Sequence, residues 1–433
     1  MTSLGTSKLP FSRVYIIILV LFMAAMVLEG ILRFIFIRAG LAPLVYAPKG
    51  LITLALLLSV LLAARAAHIN KAFIIVIGLA LWTLALGVLQ VRAIVPVLFG
   101  VWAILPFFFG VAIYPYLRVH WRNLRPIVFI LWGLAVLGII LNNFVEFPWA
   151  GFEFQLAGVN LVGSRAWATF DVSRLAGFSR VSIAAASHIT LLALWLLAAG
   201  VRRWLALIII ISSAVALYLT TMKTITGAFI LLSLFVLLRP YIARPVWVGL
   251  PTLAALIGFV LPFSTLITTY NLTFENPVNR FLFASFGIRL AEVWPQTLEL
   301  VQLRGQPLLG RGIGGIGGAQ QYFEPSRYTP GDNLMLYLYV LGGVLFVVLL
   351  FIYALAAVKL EPTRQRFDAY MYTVMMTVLL QGITGNVMES AFFSLFFGVS
   401  LRHVMTLPLR QPHQESSDVL VIPSQPQPQL GSV

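Results

Sequence analysis

Cysteine is absent from the 433 residues, so no disulfide, thiolate metal site or thiol nucleophile can form. Charge is scarce too: Asp, Glu, Lys and Arg make up 10% of the chain, where a soluble domain carries about 25%. The five histidines, His68, His120, His188, His403 and His413, are scattered, and neither a D-x-D nor an H-E-x-x-H pattern occurs. With only 14 carboxylates besides, a metal cage has little to be built from. What remains is apolar, 60% of the residues, and the mean hydropathy is +0.97. No soluble core of this size could hide that much Leu, Ile, Val and Phe from water, so lipid is the natural solvent. An all-α, polytopic integral membrane protein is expected.

Runs of about 20 apolar residues bounded by charge mark membrane crossings. They fall at 14–34, 45–64, 72–90, 93–113, 126–143, 181–200, 204–220, 225–238, 246–263, 334–357, 369–386 and 389–408, which predicts twelve transmembrane helices within a range of 10–12. With twelve, both termini share a side. The short segments on that side hold 16 of the 29 basic residues, against five (Arg33, Arg38, Lys49, Arg92 and Lys223) in the short loops opposite. Basic residues accumulate in cytoplasmic loops, so both termini are expected there. Lys8 and Arg13 precede the first run, which lacks a small-residue cleavage site and is read as a retained anchor. The stretch 1–410 reads as a single membrane-embedded domain, and 411–433, rich in Pro, Gln and Ser, as a disordered cytoplasmic tail.

The remaining eight basic residues are all arginine, and all lie in two long outward loops, 144–180 and 264–333. Long loops are exempt from the charge rule, so a solvated face would account for them. The want of lysine favours another account, because a guanidinium fork grips phosphate or carboxylate at two points where an ammonium is a single charge. An anionic ligand on the outer face is therefore expected. The net charge of +15 needs no nucleic acid to explain it, since most basic residues follow the membrane rule.

A loop of 70 residues should contain its own helices. From 279 to 303, apolar positions alternate with Arg280, Arg289, Glu292 and Glu299 in the pattern of an amphipathic surface helix, which Pro295 kinks or divides. Gly310, Gly312 and Gly315 formally satisfy G-x-G-x-x-G, but the strand that pattern needs is missing. These glycines serve either to bring backbone N–H groups to an anion or to turn the chain sharply. Asp332 and Asn333 stand at the mouth of a strong apolar run, where Asp332 suits a helix N-cap as well as a partly desolvated base. In the other loop Asp171, Arg174 and Arg180 flank Gly177, and Asp171 with Arg174 makes a simple surface pair. His188, one or two turns into its span, is either a site residue or a hydrogen-bond partner for a neighbouring helix.

The ordered features RLAGF (174–178), TTMKTITGAFILL (220–232), RLAEVWPQTLEL followed by PLLGRGIGG (289–315) and DNLMLYLYVLGGV (332–344) together resemble the O-antigen polymerase and O-antigen ligase superfamily. The resemblance covers roughly 170–350. It implies a metal-independent membrane glycosyltransferase of GT-C-like fold, without cofactors, acting at the periplasmic face of the bacterial inner membrane on glycans carried by undecaprenyl diphosphate. A chain-length regulator is an implied partner. It implies that Arg174 and Arg289 hold the diphosphate, with Arg180, Arg280, Arg311 and Asn333 nearby as substrate-binding residues. It places Asp332 in acceptor activation. Ligases carry His-Asn where this chain has Asp332-Asn333, and Asp-Asn is more usual among polymerases. Polymerisation of lipid-linked oligosaccharide repeats, as O-antigen or exopolysaccharide, is thus the leading expectation. The rivals are an O-antigen ligase acting on lipid A-core, a lipid-linked oligosaccharide flippase or other transporter, and a non-catalytic scaffold.

Overall fold

The computed structural model describes residues 11–65, 71–156, 159–165, 167–169, 172–274 and 276–408. Asp171, Lys8, His68, His413 and the tail at 411–433 lie outside them, and so do the expected Asp171 pair and tail disorder. The chain is mostly helical: α1 (Ser12–Val27), α2 (Glu29–Arg38), α3 (Ala47–Arg65), α4 (Lys71–Val91), α5 (Ile94–His120), α6 (Arg125–Asn142), α7 (Ser182–Ala199), α8 (Arg203–Leu219), α9 (Lys223–Leu238) and α10 (Arg244–Ser264). After a long loop come α11 (Pro277–Ile288), α12 (Trp294–Arg304), α13 (Gly318–Phe323), α14 (Leu334–Leu355), α15 (Arg366–Gly382) and α16 (Ala391–Thr406).

Every one of the twelve apolar runs falls on a helix. Eight helices, α3 to α7, α9, α10 and α14, are long and apolar enough to cross a membrane, and α1 with α2 makes a ninth if that bent pair is one span. α8 and α16 are apolar but shorter, and α15 opens on Arg366 and Asp368, which lowers its hydropathy. The first run departs from a straight anchor, because the chain bends by 83° between α1 and α2. Glu29 and Arg33, one turn apart and ion-paired at 2.7 Å, begin the second arm.

Two short antiparallel hairpins are exceptions to the all-α expectation: β1 (Glu153–Leu156) with β2 (Val159–Val162), and β3 (Trp167–Thr169) with β4 (Val172–Arg174). Both lie in the 144–180 loop. Strands this short are invisible beside the strong apolar runs, and only their turns and β-branched residues would mark them.

The axis of the bundle is α7, buried without a break from Ala185 to Ala199, with α15 and α16 buried beside it. By contrast α3 and α4 present Leu54, Leu57, Leu61, Ile74, Leu81 and Leu89 outward, the exposure of helices made for lipid.

The glycine-rich stretch threads back into this bundle. α14 is broken at Gly342 and Gly343, which have non-helical backbone angles. The break leaves the carbonyl of Val340 to accept from the N–H groups of Arg311 (2.6 Å) and Gly312 (3.2 Å), while Ile313 N–H donates to Thr83 of α4 at 3.0 Å. Gly312, at φ +83°, lies directly against the backbone of Gly87, where any Cβ would collide. Of the two roles open to Gly310, Gly312 and Gly315, the sharp turn fits: Gly310 and Gly312 have φ of +82° and +83°, and the N–H groups of all three donate to backbone carbonyls. These three N–H groups are therefore not available to an anion.

Candidate functional site

A cavity of about 760 Å³ opens at one end of the bundle. Its walls come from the C-terminal ends of α1 and α15, the N-terminal ends of α3, α5, α7, α9 and α16, and the segments joining them. Alternate crossings bring these ends to a single face. Seven cations line it, Arg33, Lys49, Arg165, Arg174, Arg180, Lys223 and Arg289, against the carboxylates Glu29, Asp332 and Glu389. Half-buried cations in such excess favour an anion beside them.

The loop before α7 sets two of the arginines. Gly177, at φ +60°, packs on α6 so closely that a Cβ would come within 2.7 Å of the Gly138 carbonyl carbon. Its N–H donates to Asn142 Oδ1 at 3.1 Å, and its carbonyl accepts from Trp149 Nε1 at 3.0 Å. Arg174 and Arg180 leave this anchored turn on either side. Arg180 Nη2 donates to the Val162 carbonyl at 3.0 Å, whereas its buried Nε has no hydrogen-bond partner among the described residues. Burial and then the charge of Arg289 push the Arg174 guanidinium below its ordinary value.

Arg289 arrives from a different direction. Pro295 cannot donate a backbone hydrogen bond, and the helical ladder slips into a π turn over Arg289–Val293 between α11 and α12. The expected surface helix is thus divided as its proline predicts. Arg289 Nη1 donates to the Ser285 carbonyl at 2.9 Å and Nη2 pairs with Asp332 Oδ2 at 3.1 Å. Its Nε is buried without a partner among the described residues.

Asn333, not Asp332, caps α14. Its Oδ1 accepts from Leu336 N–H at 2.9 Å, and its amide donates at 3.0 Å to the carbonyls of Gly258 and Ile383. The cap leaves the Asp332 carboxylate turned to the cavity and to Arg289. Burial raises the Asp332 carboxyl above the ordinary aspartate value, and the Arg289 charge and hydrogen bond only partly oppose it. A carboxylate of raised basicity beside a polar cavity can take a proton from a hydroxyl.

Of the residues expected in the site, Arg174, Arg180, Arg289 and Asp332 share the cavity. Three others do not line it. Arg311 is 2% exposed and donates through Nη2 to both oxygens of Glu324 at 2.8 Å and through Nη1 to the Gly315 carbonyl, a clamp on the glycine-rich loop. Arg280 stands on the exposed face of α11. Asn333 is wholly buried in its three hydrogen bonds. His188 lines the cavity, but its Nδ1 is hydrogen-bonded to Ser179 Oγ at 3.0 Å.

Sequence reasoning passed over Glu29, Arg33, Lys49, Lys223, Arg165 and Glu389. Glu29 carried a signal, being a carboxylate inside an apolar run. Glu389 accepts from Gly318 N–H and from Tyr337 Oη at 3.1 Å, and burial raises its carboxyl above the ordinary glutamate value. Lys223 follows Thr221, a β-branched residue at φ +58°, a strained turn at the cavity wall. No group of three or more His, Asp or Glu able to hold a metal occurs among the described residues. The arrangement can therefore hold a multiply charged anion by guanidinium groups and offer one basic carboxylate beside it. The chain matches no protein-family model and none of the curated proteins.

Proposed function

We propose that this protein is a membrane glycosyltransferase of the O-antigen polymerase type, which lengthens an undecaprenyl-diphosphate-linked glycan at the periplasmic face of the bacterial inner membrane. In this reading α1 and α2 form one of twelve crossings in a GT-C-like fold, and both termini are cytoplasmic. The observation that carries it is the cavity itself: seven cations against three carboxylates around one basic aspartate. A lipid diphosphate is an anion of the required sign that can reach such a cavity from the membrane. A transporter would need its charges half-way along the helices, whereas these stand at helix ends.

The chemistry follows from charge development. An acceptor hydroxyl oxygen bonds to the anomeric carbon as the bond from that carbon to the diphosphate oxygen breaks. The hydroxyl proton passes to Asp332, and the electron pair of the broken bond leaves with the diphosphate. Charge on the leaving diphosphate grows along this path, so Arg174 and Arg289 stabilise the transition state more than the ground state. Direct displacement inverts the anomeric configuration.

Purified protein in proteoliposomes, supplied with carrier-linked repeats, provides the test. Asp332→Asn should slow elongation by about 10²-fold or more with an unchanged melting temperature, because the helix cap belongs to Asn333. An unaltered rate would remove Asp332 from the chemistry. In cells, loss of the protein should leave surface lipopolysaccharide bearing a single repeat, or no exopolysaccharide. Bare core with full-length polymer held on the carrier would instead identify a ligase.

A further inference from the structure

A second hollow begins at the end of the bundle away from the cavity, and its chemistry is different. α3 and α4 each pack on α5, and a groove of about 220 Å³ runs between them. Val60 of α3, Phe73, Leu81 and Leu84 of α4, and Phe108 and Val111 of α5 line it, and every other lining residue is apolar as well. Val60 and Leu81 are exposed, so the groove is open on its outer side. All three helices are long and apolar enough to cross a membrane, and that side therefore faces lipid. From Phe73 to Leu84 the groove follows α4 for about 16 Å at 1.5 Å per residue. That is close to half of the roughly 30 Å hydrocarbon core of a bilayer, the depth of a single leaflet.

The mouth of the groove at Phe73 is charged. Phe73 lies near the start of α4, and Arg402 comes to it from near the end of α16. The Arg402 guanidinium is 5.9 Å from the ring centres of both Phe73 and Tyr114, and its Nη1 donates to the Val111 carbonyl at 2.6 Å. Among the described residues it makes no other hydrogen bond. Arg118 reaches the same tyrosine, donating through Nη1 to Tyr114 Oη at 3.3 Å. Neither arginine is ion-paired among the described residues. The carboxylate bonded into this cluster is Asp368, which stands behind His403 with one oxygen on that ring and the other on Glu361 N–H.

An acyl chain from the bilayer fills such a groove whatever its headgroup, because an empty groove forfeits dispersion contacts and lipid tails are alike. Selection comes from the head. A phosphate accepts from a guanidinium in charge-assisted hydrogen bonds. A headgroup that also carries an ammonium would set it beside Arg402 and Arg118, with no unbonded carboxylate in the cluster to receive it.

We infer that the groove between α3 and α4 binds one phospholipid of net negative charge, its phosphate at Arg402 and Arg118 and one acyl chain along α4. The lipid belongs to the leaflet on the side away from the cavity. It is neither donor nor acceptor in the transfer proposed above, and the site stands whether or not that proposal holds.

Full-length protein in detergent, offered equal amounts of phosphatidylglycerol and phosphatidylcholine and followed by native mass spectrometry, should retain one phosphatidylglycerol per chain in preference to phosphatidylcholine. Arg402→Gln should weaken that retention by about tenfold, and Arg402→Lys by less. Ala80→Phe, which fills the groove from its α4 wall, should weaken it to a like degree with Arg402 intact. Ile74→Phe, at an exposed position of α4 outside the groove, should leave retention as it is. Equal retention of the two lipids, or an unchanged preference in Arg402→Gln, would overturn the inference. Loss in Arg402→Gln with full retention in Ala80→Phe would place the tail elsewhere and overturn it too. Displacement by millimolar inorganic phosphate would make this a site for a free anion, and displacement by an equal amount of undecaprenyl phosphate would give the groove to the carrier; either result sinks the assignment.

Discussion

Asp368 and His403, buried where α15 begins and α16 ends, belong to the same apolar bundle as Arg180 and Arg289 but are provided for differently. Asp368 Oδ1 is hydrogen-bonded to His403 Nε2 at 3.0 Å and Oδ2 accepts from Glu361 N–H at 2.8 Å. His403 Nδ1 is bonded to Tyr114 Oη at 3.0 Å, and that oxygen also accepts from Thr406 and Arg118. Every polar atom of the Asp368 and His403 side chains has a protein partner. Around the cavity, by contrast, Arg180 Nε, Arg289 Nε, Thr221 Oγ1 and Gln381 Oε1 are buried without one among the described residues, and cations outnumber carboxylates. The difference separates two uses of buried polarity. Arg402 Nε beside His403 and Arg311 Nε in the loop clamp are buried without a partner as well, so the excess of cations over carboxylates, rather than the orphan atoms, sets the cavity apart.

That contrast can be broken by exchange of effects. Arg174→Ala and Arg289→Ala should each lower the transfer rate by about 10²–10³-fold, the scale of removing one preorganised donor from a developing charge. Melting temperatures of the two variants should stay close to that of the unaltered protein. His403→Ala should do the reverse, costing roughly 3 kcal/mol of stability as Asp368 is left buried without its partner, while the rate per folded molecule changes little. Denaturation in detergent alongside a turnover assay reads both quantities. If His403→Ala proved inactive yet stable, or Arg289→Ala unfolded, the two ends of the bundle would have to trade roles.

A subtler effect concerns pH. Asp332 must be ionised to accept a proton, and burial raises its pKa. The rate should therefore climb with pH along a limb that lies above the ordinary aspartate range. Arg289 lowers that pKa by its charge, so replacing it with Gln should move the limb to higher pH in the residual activity, while Arg289→Lys should move it less. The pH dependence of kcat in the three proteins measures the shift.

Much of this architecture can be read from apolar runs, because lipid demands helices and each of the twelve runs falls on helical chain, eight of these helices being long and apolar enough to cross a membrane. The bend after α1 escapes such a reading, since hydropathy does not register direction. Arg174, Arg180, Arg289 and Asp332 stand out as charges in long loops that the positive-inside rule leaves unexplained. Arg311 has the same credentials yet is spent on Glu324, 13 residues further on, and nothing in spacing alone reveals that pairing. Arg33, Lys49 and Lys223 are hidden for another reason: they are isolated in sequence, a minority on the side opposite the cytoplasmic one, and only the fold turns them toward a common space.

The broken α14 has a consequence for how the molecule is made. Its freed carbonyl seats a loop that also touches α4 near Thr83 and, through Gly318, the Glu389 carboxylate just ahead of α16. Synthesis from the N-terminus delivers α4 early and Glu389 almost last, so the roof of the chamber closes only when translation is nearly over. A nascent chain stalled before that point would hold most of its helices with the cavity still open at this wall.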